Sequence, residues 1–93
     1  MFWLKKNFAG DQWFDVQDRF EAHFMKALGP REMMLVCADQ ENFRTDLFIG
    51  LPEGSSASLY EGFEKVDQPP ERAVLLVGHQ DEFEKRFKPV LRE

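Results

Sequence analysis

Residues 12–28 place apolar side chains at helical spacing. At about 100° per residue, Trp13, Val16, Phe20, Phe24, Ala27 and Leu28 share roughly a third of the circumference. Asp15, Asp18, Arg19 and Lys26 fall opposite, so the pattern predicts a helix with one face for burial. Asp11 is placed to cap its start, and Gly29-Pro30 to end it, Gly29 through a left-handed conformation. Phe14 and Met25 widen the apolar stripe on one flank beyond what one sheet face needs. His23 sits at the stripe's edge.

Residues 32–38 (EMMLVCA) are apolar on both strand faces, with Met33, Leu35 and Cys37 on one and Met34, Val36 and Ala38 on the other. Such a run predicts an inner strand. After a polar turn at 39–42, residues 43–51 alternate. Phe43, Thr45, Leu47, Ile49 and Leu51 share one face, and Arg44 and Asp46 make the opposite face wet at its start. Ser55 or Ser56 can begin a short helix ahead of Tyr60, and 62–67 read as a weak strand. Gly62 argues against one helix through both, at about 1 kcal/mol relative to Ala. Residues 73–77 (AVLLV) form the most apolar strand. A last helix is predicted over 80–87, with Asp81 and Glu82 at its start and Lys85, Arg86 and Lys88 near its end, as the macrodipole favours. Phe20, Phe24, Leu75 and Val77 are expected in one core.

The order α-β-β-(short α)-β-β-α predicts an α+β two-layer sandwich. Its sheet is expected to have four mainly antiparallel strands, with the two doubly apolar strands in the middle. At 93 residues the chain is read as one domain, 1–93. Residues 1–10 are read as an aromatic N-terminal arm, packed on the domain or at an interface.

Composition narrows the function. Acids outnumber bases 17 to 12, and the formal charge is −5. The excess lies in 39–67, where Asp39, Glu41, Asp46, Glu53, Glu61, Glu64 and Asp67 face only Arg44 and Lys65. No basic stripe exists to neutralise phosphates, so nucleic acid is not an expected partner. No apolar run has the length of a membrane span, and MFWLKK lacks the layout of a signal peptide. The single cysteine, Cys37, cannot form an internal disulfide. The expected setting is reduced and cytoplasmic, with no membrane partner.

Motifs for catalysis fail on inspection. Around Asp39, Glu41 and Asn42 an EF-hand would need Gly where Arg44 stands and a bidentate Glu where Gly50 stands. Residues 50–56 (GLPEGSS) lack the lysine of a phosphate loop. Cys37 has no neighbouring cation to make it a thiolate. No catalytic residue, metal ligand or cofactor is assigned. Two readings remain. The first is a non-catalytic interaction domain, docking a protein partner or a second copy through Phe2, Trp3, Phe8, Phe14 and Met25, because aromatics dominate interface hot spots. The second is a small-molecule binder or enzyme with a pocket near His79 and Tyr60, His79 standing where a strand gives way to a helix. Polar groups with displaced pKa values in one cleft would favour the second. An exposed apolar patch without a pocket would favour the first.

Overall fold

A computed structural model of the chain describes residues 1–29, 31–81 and 83. Their order is β1 (Phe2–Ala9), α1 (Gly10–Ala27), β2 (Met33–Asp39), β3 (Arg44–Leu51), a 3-10 turn (Ser58–Tyr60), β4 (Glu64–Val66) and β5 (Val74–Gly78). The architecture is α+β, with α1 against one antiparallel sheet. The sheet has five strands in the order β4-β1-β3-β2-β5, not four.

The added strand is the segment read as an arm. Residues 2–9 alternate as a strand does, and the paired Lys5-Lys6 hides this. Lys6 falls on the helix-side face, half-buried, with its ammonium 5.5 Å from the centre of the Phe8 ring and 6.0 Å from that of Phe63. Its aliphatic stem can cover apolar surface while the charge reaches water. β1 therefore lies inside the sheet, between β4 and β3.

The second correction concerns β5. Its apolar sequence suggested a central position, yet it is an edge strand, and β3 is the centre. Burial of a strand's faces, not of its edges, selects apolar side chains on both sides. A register shift moves the pairing from Met34 with Val77 to Leu35 with Leu75. Val77 consequently joins Phe20 and Phe24 in the core beneath α1, whereas Leu75 packs on the opposite face. The expected core of Phe20, Phe24, Leu75 and Val77 is thus split by one irregular step.

Two apolar clusters result. The inner one, between α1 and the sheet, contains Leu4, Phe8, Trp13, Phe20, Phe24, Met34, Leu47, Ile49 and Leu51. The outer one contains Trp3, Met33, Leu35, Cys37, Phe48, Ala73 and Phe83. At the far end of the outer face the sheet turns polar, where Asn7 donates to Asp46 at 2.6 Å and accepts from Arg44. The turn after β2 is closed by Asp39, whose carboxylate accepts from the backbone and the side chain of Asn42. These bonds favour the ionised form and hold its pKa below the ordinary 3.8.

α1 begins two residues earlier than its apolar stripe suggests. The Gln12 side chain accepts from the Ala9 N–H at 3.1 Å, and Asp11 accepts from the Gln12 N–H at 2.9 Å. Asp11 thus serves an end amide from within the first turn. The exit also differs from expectation. Leu28 leaves the helix in an extended conformation, and Gly29 has no positive φ. The stop is instead made by Glu32, as described below. Gln80, Asp81 and Phe83 are helical, and the remainder of the predicted helix over 80–87 lies outside the described residues. Among the described residues no helix is long and apolar enough to cross a membrane.

Candidate functional site

Three local structures meet beside the C-terminal half of α1. The first is the helix exit. The Gly29 N–H donates to a Glu32 carboxylate oxygen at 2.7 Å, and the Glu32 N–H donates to the Gly29 carbonyl at 3.2 Å. This small ring fixes the half-buried Glu32 just ahead of β2. The second is the end of β3, where Leu51 is buried before Pro52 breaks the strand. The third is the loop that follows. Gly54 turns it at φ 87°, and the Ser55 N–H bonds back to the Pro52 carbonyl at 3.1 Å. The Ser56 hydroxyl then accepts from the Ser58 N–H at 3.3 Å, ahead of the 3-10 turn. Gly62, at φ 91°, ends that turn, which settles residues 56–66 as short helix then strand.

This turn delivers Tyr60 into the inner core. Its ring lies 6.0 Å from Phe20 with planes at 23°, and meets Phe63 edge-on at 5.6 Å and His23 edge-on at 6.1 Å. Only 4% of Tyr60 is exposed. Its hydroxyl is buried and has no hydrogen-bond partner among the described residues. Burial pushes the Tyr60 pKa up to about 12, and the negative charge of Glu32 adds to the shift. The phenol is therefore neutral at physiological pH. It offers one proton to donate and lone pairs to accept.

Tyr60 lines a cleft of about 330 Å³. Glu32 and Leu51 form other parts of its wall, His23 approaches from α1, and Ser55, Ser56, Ser58 and Leu59 close it from the loop. An unpaired buried hydroxyl carries a cost of about 1–3 kcal/mol unless something bonds it. A polar molecule that reached it through the cleft would supply that bond. Among the described residues the lining includes no Lys or Arg, and its permanent charge is that of Glu32.

Of the residues singled out from sequence, Tyr60 lies in this cleft and His79 does not line it. His79 is exposed after β5, and its carbonyl accepts from the Phe83 N–H at 3.1 Å, a helical bond. The cleft instead brings Tyr60 to His23 and Glu32. His23 reads as a stripe-edge residue and Glu32 as the start of a strand. Their sequence signal is thin, although a Glu three residues after a helix-ending Gly has the reach to cap it.

The five aromatic and Met candidates for a docking surface separate. Trp3 and Phe8 are buried in the outer and inner clusters, and Phe2 is half-buried. Phe14 and Met25 are exposed, at 69% and 76%. They stand about 16 Å apart along the helix axis. Phe14 has a different companion, Phe43, also exposed, and the two share a groove of about 150 Å³ with Trp13. Cys37 is buried as a free thiol. Among the described residues no group of three His, Cys, Asp or Glu could hold a metal ion.

No family model, no curated protein and no solved structure matches the chain.

Proposed function

We propose that the protein is a non-catalytic binding module for a small polar molecule, held in the cleft beside Tyr60. One observation carries this reading: Tyr60, whose buried hydroxyl has no hydrogen-bond partner among the described residues, lines a cleft of about 330 Å³. Buried polar groups are ordinarily bonded, and exceptions need an explanation. A ligand that bonds the hydroxyl supplies one. The cleft's size falls within the range of small-molecule sites, and its mix of Leu, aromatic and hydroxyl groups has their character. A reduced, cytoplasmic setting belongs to the same reading, since the one cysteine is buried and unpaired.

Tyr60 is the sole tyrosine, so its ring signals in an NMR spectrum report on this site alone. A library of small polar fragments should contain members that shift those signals saturably. Ser56 is exposed on the rim, and Ser56→Trp should fill the cleft and remove the shifts while the fold persists. Fragments that bind without moving Tyr60 would contradict the proposal.

A second reading, docking of a protein or a second copy, is favoured by Phe14 and Phe43 standing exposed on one groove. Concentration-dependent mass by sedimentation, abolished by Phe14→Ser with Phe43→Ser, would support it.

A further inference from the structure

We infer that the ligand of the Tyr60 cleft is an organic cation of the ammonium type, held by the Glu32 carboxylate and the Tyr60 and His23 side chains. The inference rests on the reading that the cleft binds a small molecule, and it fixes the charge of that molecule.

Among the described residues that line the cleft, Glu32 carries the permanent charge, and no Lys or Arg accompanies it. Its carboxylate accepts one bond, from the Gly29 N–H, and has no cationic partner among the described residues. It is half-buried, where screening by water is reduced. An anionic ligand would meet this charge without compensation. A neutral polyol could use the hydroxyls but would leave the carboxylate unpaired. A cation satisfies it.

The remaining groups agree. The hydroxyls of Ser55, Ser56 and Ser58 and the oxygen of Tyr60 can all accept from an N–H or face a positive centre. The phenol and imidazole rings meet edge-on, 6.1 Å apart. Aromatic faces attract ammonium and guanidinium groups. The chain already uses this attraction nearby, with the Arg19 guanidinium 4.7 Å from the centre of the Phe20 ring.

Choline and its uncharged carbon isostere, in which a tert-butyl group replaces the trimethylammonium, separate charge from shape. Both are titrated at neutral pH into the full chain while the Tyr60 ring signals are followed. The expected result is saturable binding of choline, about tenfold or more tighter than the isostere. Glu32→Gln keeps an oxygen for the Gly29 N–H. It should reduce choline to about the isostere's affinity while the chain still unfolds in one cooperative transition. Equal binding of the two compounds, or an unaltered preference in Glu32→Gln, would overturn the cation while leaving the cleft a small-molecule site. Perturbation of Tyr60 by neutral or anionic fragments but not by choline would do the same. If no fragment of any charge perturbs Tyr60, the proposed function falls with it.

Discussion

The ring of Phe20 lies stacked on that of Tyr60, with centroids 6.0 Å apart and planes inclined by 23°. One partner comes from the middle of α1 and the other from a three-residue 3-10 turn. The pair joins core to cleft, because the ring that fills the inner cluster also carries the hydroxyl that lacks a partner among the described residues. Phe20→Ala should therefore act twice. It should cost about 3–5 kcal/mol, a large share of the roughly 5–15 kcal/mol available to a domain. It should also broaden the Tyr60 ring signals. Chemical denaturation with NMR checks both, and an unchanged unfolding midpoint would refute the packing.

Two glycines make a contrasting pair. A Cβ added at Gly50 would lie 2.7 Å from the Trp3 indole, and one added at Gly10 would lie 2.4 Å from the Phe43 ring. The shorter distance is the less costly. Phe43 is 63% exposed and can swing away, whereas Trp3 is 4% exposed and held in the outer cluster. Gly50→Ala should lose about 1–3 kcal/mol and Gly10→Ala clearly less. Matched denaturant titrations decide the order, and a larger loss at Gly10 would reverse the argument.

Alkaline titration tests the surroundings of Tyr60. Its folded pKa is raised to about 12 from an ordinary 10.0. Between these values the unfolded chain gives up the phenolic proton and the folded chain keeps it. Tyr60 should then leave stability unchanged below pH 10 and lower it as pH rises toward 12. The slope should approach about 1.4 kcal/mol per pH unit relative to Tyr60→Phe. The tyrosinate absorbance of the folded chain, from its sole tyrosine, should have its midpoint near 12. A midpoint near 10 would show a hydroxyl in contact with water.

The helix, β2 and β3 were legible because each repeats its apolar period over seven or more residues. Face assignments on β2 and β3 followed from alternation, including the wet start of β3 at Arg44 and Asp46, except at Phe43, which the alternation put on the buried face but which precedes β3 in a left-handed conformation and is exposed. β1 was hidden by Lys5-Lys6, since a residue scale counts Lys6 as polar while its stem lies against Phe8 and Phe63. The edge position of β5 could not be read, because pairing order is non-local and apolar composition reports faces only. The skipped residue that sends Leu75 and Val77 to opposite faces has no sequence mark either. For the cleft, Tyr60 was visible as the lone tyrosine beside a turn. Its companions His23 and Glu32 lie 37 and 28 residues away in the chain, and only the tertiary fold joins them.

The most direct test of the account is the stability of Tyr60→Phe. The central claim is that this hydroxyl is buried, has no hydrogen-bond partner among the described residues, and takes one from a ligand that reaches it through the cleft. Phenylalanine keeps the stack on Phe20 and removes only the oxygen. Denaturant unfolding of the free protein should show no loss, and a gain of up to about 1–2 kcal/mol as the unsatisfied group disappears. Binding of any fragment that perturbs the wild-type tyrosine should weaken in the same variant. A loss of more than about 1 kcal/mol would contradict the account, since it would mean that the hydroxyl already bonds within the protein.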